Sequence, residues 1–154
     1  MSSINEINEP DVFVVADNIL SPLGKTTAEN FAKLRENISG IKQHTNVAIS
    51  PLPFFASLFD KDEQFVQADE HNYTKFEQLL IASIADALNG SGVDVRDKKT
   101  VLVISSTKGN ISLLENEAIT DELKERISLS TSAKLVAEHF GFQNQPIVVS
   151  NACI

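Results

Sequence analysis

The sequence predicts an α/β fold with a mostly parallel core sheet flanked by helices, and three observations predict it. Residues 12–16 (VFVVA), 101–104 (VLVI) and 147–149 (IVV) are short β-branched runs without charge, bounded by polar or turn-forming residues. Such runs read as strands buried on both faces of a sheet. Between them lie segments of helical periodicity with their own starts and stops. Strands separated by helices favour parallel pairing through right-handed crossovers.

The elements follow in order. Residues 1–11 form a polar, acidic N-terminal segment, and residues 12–154 read as a partial domain. After the strand at 12–16, residues 18–24 make a loop containing Pro22 and Gly24. A helix starts at the capping-box pattern Thr26-Thr27-Ala28-Glu29, continues through Phe31, Leu34 and Ile38 on one face, and stops at Ser39-Gly40. Residues 41–72 read as a long surface excursion with Pro51 and Pro53, held to the body by its phenylalanines. Phe76, Leu79, Leu80, Ile84 and Leu88 form the apolar stripe of a second helix, which Asn89-Gly90-Ser91-Gly92 ends. Residues 111–126 are helical at least in part. Residues 129–140 form a further helix with Ala133, Val136, Ala137 and Phe140 on one face and Gly141 as its stop.

Composition sets outer bounds on function. With 154 residues, 42% hydrophobic and 22% charged, the chain is an ordinary globular domain or part of a larger one. Its net charge of −8 repels a phosphate backbone and argues against nucleic-acid binding. No apolar run reaches the roughly 18–20 residues of a membrane span. The opening MSSINEINEP is wrong for a secretory signal. The single cysteine, Cys153, forms no intrachain disulfide, in keeping with a cytoplasmic location.

Cys153 is the residue most open to a chemical reading, and two readings stand side by side. Free cysteine is among the most buried residue types, so it reads as a small core hydrophobe. Equally, a strand–turn–cysteine–helix arrangement is a nucleophile elbow, in which a helix N-terminus favours the thiolate and offers N–H groups to an oxyanion. The remaining polar residues read more plainly. His44, His71 and His139 have no metal-ligand spacing and read as solvated or packed side chains. Lys61-Asp62-Glu63 and Lys124-Glu125-Arg126 read as solvated charged faces. Ser105-Ser106-Thr107-Lys108-Gly109 lacks the spacing of a phosphate loop.

Four landmarks in order resemble the first half of a β-ketoacyl-acyl-carrier-protein synthase, a thiolase-like enzyme. VFVVADNILSPLGKTTAENFAKLRENISG (12–40) resembles the family's opening strand, Ser/Thr-Pro-Leu-Gly turn and helix. The helix ending in Asn89-Gly90-Ser91-Gly92 is similar to the family's A-x-x-D-A-G helix. VLVISSTKG (101–109) resembles the second core strand and its glycine loop, and Val149-Ser150-Asn151-Ala152-Cys153 the S-x-A-C active-site turn. The sequence departs from the family pattern at Lys108, where small residues are usual, at Asn151, and through most of 41–72.

The resemblance implies the N-terminal half of a thiolase-like fold, which would stop just after the active-site turn. It implies Cys153 as the nucleophile that takes an acyl group from acyl carrier protein. It also implies that Thr107, Gly109, Asn110 and Ile111 lie near the acyl pocket. Decarboxylation of a malonyl unit would supply the attacking carbanion. No metal or organic cofactor is then needed beyond the carrier's phosphopantetheine arm. The histidines and lysine that assist would lie in a second half. These residues alone are therefore expected to be inactive, with an unactivated Cys153 thiol, and to associate as a homodimer or with that half. The rival is a non-catalytic thiolase-like partner or assembly module. A redox-sensing thiol is a weaker third reading, since no resolving cysteine is present.

Overall fold

The computed structural model describes residues 11–60, 63–66, 72–115 and 118–150. In chain order the elements are α1 (Thr27–Arg35), β1 (Lys42–His44), β2 (Phe54–Ala56), α2 (Lys75–Leu88), β3 (Val103–Ser105), a 3₁₀ helix (Ile111–Glu115), α3 (Asp121–Ile127), α4 (Leu129–Phe140) and β4 (Ile147–Val149). The chain is thus mixed helix and strand. Its strands form two pairs, antiparallel β1–β2 and parallel β3–β4.

The core lies where α2 and α4 pack on each other and on β3–β4. Tyr73, Ile81, Leu102, Ile104, Ala133, Val136 and Ala137 form its buried cluster. On α4, Ser132, Ala133, Val136 and Ala137 are all buried. Their spacing puts them on one helical face, and their small size lets the neighbouring backbone approach closely. Gly141 ends α4 at φ 76°, a conformation glycine adopts without a Cβ penalty. α2 starts on a capping box, with the Thr74 hydroxyl accepting from Glu77 N–H and the Glu77 carboxylate accepting from Thr74 N–H. Asn144 then ties the approach to β4 onto the turn before β3, donating to the carbonyls of Lys98 and Thr100 at 2.7 Å each.

Several expectations need correction. Residues 12–16 form no strand. They pair with nothing among the described residues, and Val12 to Val15 stand 67–92% exposed. The strands form two separate pairs, of which β3–β4 packs on the core, and its strands are not buried on both faces. Leu102 and Ile104 point inward while Val101 and Val103 face out, and in β4 Ile147 and Val149 are exposed on either side of half-buried Val148. The first helix stops at Arg35, short of Ser39-Gly40, because Asn37 turns left-handed at φ 57°. Its apolar residues Phe31 and Leu34, like Ile38 just beyond it, are exposed. The residue α1 buries is Asn30, which donates to the carbonyls of Ile19, Gly24 and Thr26 and so clamps the preceding loop. Within 41–72 the structure has a β-hairpin, Lys42 opposite Ala56 and His44 opposite Phe54. Of the phenylalanine pair there, Phe54 stacks on His44 while Phe55 is exposed.

Candidate active site

The two parallel strands end side by side. Val103 pairs with Ile147 and Ser105 with Val149, and just past the register Ser106 N–H donates to the Val149 carbonyl at 3.2 Å. Both strands therefore end on the same side of the sheet, the carboxyl end, where ligands bind in α/β folds. The loop after β3 is closed by Ser106, whose hydroxyl accepts from the N–H groups of Lys108 and Gly109 at 3.3 and 3.1 Å. Gly109 takes φ 52° to turn the chain into the 3₁₀ helix.

Asn110 follows, 2% exposed, and beneath it lies a cluster of buried polar side chains. Glu77, on the first turn of α2, has no exposed surface. Its Oε1 accepts from Asn110 Nδ2 at 3.1 Å, Ser132 Oγ at 2.8 Å and Arg126 Nη1 at 2.5 Å. Its Oε2 accepts from Thr74 N–H at 2.9 Å and Arg126 Nη2 at 2.6 Å. The Thr74 hydroxyl completes the ring by donating to Asn110 Oδ1 at 2.7 Å. Five donors on one carboxylate, two of them a guanidinium fork, are what a buried charge requires. Burial alone pushes the Glu77 carboxyl up, but Arg126, Thr74 N–H, Ser132 and Asn110 together outweigh it and hold it at about 2. Reciprocally, the bonds to Glu77 raise Arg126.

Beside this cluster opens a cleft of about 650 Å³, lined by Tyr73, Phe76, Leu113 and Leu123 on its apolar side and by Lys75 and Arg126 among its polar groups. Of the expected acyl-pocket residues, Asn110 lines this cleft. Thr107 is exposed, Gly109 half-buried and Ile111 50% exposed, and all three sit on the loop outside it. Cys153 and Asn151 lie outside the described residues.

The charged run at 124–126 is not simply a solvated face: Lys124 pairs with Asp121 on the surface, but Arg126 reaches into the Glu77 cluster. Of the second run, Lys61 and Asp62 lie outside the described residues, and Glu63 pairs with Lys25 at 3.2 Å. His44 packs on Phe54 with Nε2 3.1 Å from the Ala56 carbonyl, and His139 Nδ1 is 3.2 Å from the Tyr73 hydroxyl. His71 lies outside the described residues. Among the described residues no group of three or more His, Cys, Asp or Glu side chains gathers as a metal site, and no helix is long and apolar enough to cross a membrane. Glu77 was missed by sequence reasoning although two signals mark it. Thr74-x-x-Glu77 is a capping-box pattern, and Glu77 falls four residues before Ile81 on the face α2 buries.

Comparison of the chain with protein-family models and with curated proteins gives no match.

Proposed function

We propose that the chain is part of a 3-oxoacyl-acyl-carrier-protein synthase and carries its nucleophile, Cys153. One observation supports this reading above the rest. The parallel pairing of β3 and β4 sets the strand that leads into Ser150-Asn151-Ala152-Cys153 directly beside the loop Ser106–Ile111, with Ser106 bonded to Val149. The loop that resembles the family's glycine loop and the strand that leads toward the resembling active-site turn, far apart in sequence, thus share one end of one sheet.

In this reading the Cys153 thiolate attacks the carbonyl of an acyl thioester on acyl carrier protein. The carrier's phosphopantetheine sulfur leaves and takes up a proton, and the acyl group is held on Cys153. A malonyl unit on a second carrier then loses carbon dioxide. The electron pair left on its α-carbon attacks the Cys153 thioester, which expels the thiolate and yields the 3-oxoacyl carrier. The groups that assist decarboxylation belong, in this reading, to a second half. Acyl carrier protein is the partner, a homodimer the working assembly and the cytoplasm the setting.

The test is made on the protein of the complete reading frame, supplied with acyl and malonyl carriers. Mass spectrometry is expected to find the acyl group on the Cys153 peptide and a 3-oxoacyl product, both lost in Cys153→Ala. Product formation indifferent to Cys153→Ala, or no acylation of the unaltered protein, overturns the proposal. A protein that dimerises without product fits the assembly module instead.

A further inference from the structure

The loop Ser106–Ile111 has few means of holding its shape. Thr107, Lys108 and Ile111 are exposed and Gly109 has no side chain, so apolar packing grips it weakly. Its own bonds, from the Lys108 and Gly109 N–H groups to the Ser106 hydroxyl, are local. Of residues 106–111, Asn110 is the one that is buried, and each end of its side-chain amide is engaged. Nδ2 donates to Glu77 and Ser132, and Oδ1 accepts from Thr74.

We infer that Glu77 is a positioning residue for the acyl site. Acting through Asn110, it fixes the height of the loop Ser106–Ile111 at the carboxyl end of β3, and so sets which acyl-chain length is accepted. This rests on the condensing-enzyme reading above. An apolar pair in place of Glu77 and Arg126 would close α2 on its neighbours with no charge to bury, and replacing both partners is often neutral or stabilising. What an apolar residue lacks is direction. Glu77 collects donors from the start of α2, from the loop, from Arg126 at the end of α3 and from Ser132 on α4. Those four segments can meet its two oxygens in one arrangement, and the loop has no buried side chain besides Asn110. Pocket depth is where small displacements count, because one methylene more or less changes discrimination by roughly 10–200-fold.

The experiment compares kcat/KM for butanoyl and dodecanoyl carriers in the whole protein, for the unaltered sequence, Glu77→Gln, Asn110→Ser and the double variant. A shift in the ratio of about tenfold or more is expected in each single variant, with the KM for the malonyl carrier unchanged. The double variant is expected to shift no further than Asn110→Ser, since Glu77 reaches the loop through Asn110. If Glu77→Gln does not fold, Asn110→Ser carries the comparison, because it leaves Arg126 and Ser132 on Glu77. A 3-oxoacyl product with an unchanged ratio overturns this inference alone. A loss of rate equal for both chain lengths also overturns it, by showing a merely structural role. Absence of product from the unaltered protein overturns the condensing-enzyme reading and this inference together.

Discussion

Glu77 ties the stability of the molecule to pH. Its carboxyl titrates near 4.5 when unfolded and at about 2 when folded, so the folded state binds the proton less well. The stability it contributes is therefore complete above about pH 4.5 and is lost as the pH falls from there through 2. A depression of this size corresponds to about 3 kcal/mol at neutral pH. Urea unfolding at pH 7, 4 and 3 is expected to show the loss, and Glu77→Gln to flatten it. Glu77→Leu is expected to cost about 3–5 kcal/mol at pH 7, because Arg126 would then stand half-buried and unpaired. Replacing Arg126 with Met at the same time is expected to recover much of that, as removing both charges removes the desolvation penalty too. Recovery of nothing would mean that the pair matters for shape more than for charge. At this scale the sequence was only partly legible. Asn110 was singled out through its resemblance to a family loop, and it does line the cleft. Arg126 was not, since one arginine in a charged run carries no local mark of a partner 49 residues away.

Among the elements, α2 depends on its N-cap residue more than α3 does. Thr74 caps Glu77 N–H and also bonds Asn110, whereas Thr120 caps Leu123 N–H on the short, more exposed α3. Thr74→Ala is expected to cost about 2 kcal/mol and Thr120→Ala about 1 kcal/mol or less, measured by urea unfolding. Equal costs would show that the Thr74–Asn110 bond contributes nothing. Gly141→Ala is expected to cost about 1 kcal/mol through backbone strain alone, since φ 76° disfavours a side chain while the nearest atom to a new Cβ would be Arg96 Nε at 3.7 Å. The elements that could be read from sequence are those whose signals are local. α4 follows from its apolar face and Gly141, and α2 from its stripe and the turn Asn89-Gly90-Ser91-Gly92. The hairpin Lys42–His44 with Phe54–Ala56 was not legible, because its strands are three residues each and joined by an irregular loop with no short turn signal. Residues 12–16 misled for a different reason. β-branched runs favour strand only if a neighbouring strand accepts their backbone bonds, and no described strand does.

Among the described residues many large apolar side chains are exposed. Val12 to Val15 are exposed, as are Ile147 and Val149 on β4, whose outer edge has no partner among the described residues. Apolar edge strands without charge or proline are surfaces on which chains associate, and proteins that remain monomeric guard them, often with lysine. Self-association is therefore expected, read as a dimer or larger species by sedimentation at roughly tens of micromolar protein. The response to salt identifies the force responsible. Each copy carries a net charge of −8, so two copies repel, and the repulsion acts over roughly 30 Å at 0.01 M salt but only about 8 Å at 0.15 M. An apolar contact working against that repulsion strengthens as salt is added, whereas an interface held by ion pairs weakens. Raising salt across that range is expected to move the population toward the associated form. Ile147→Lys with Val149→Lys is expected to move it back at every salt concentration, leaving the far-ultraviolet spectrum unchanged because both side chains lie on the exposed face of β4. Association that weakens with salt, or that ignores the two lysines, would place the contact elsewhere and leave the β4 edge with no part in it.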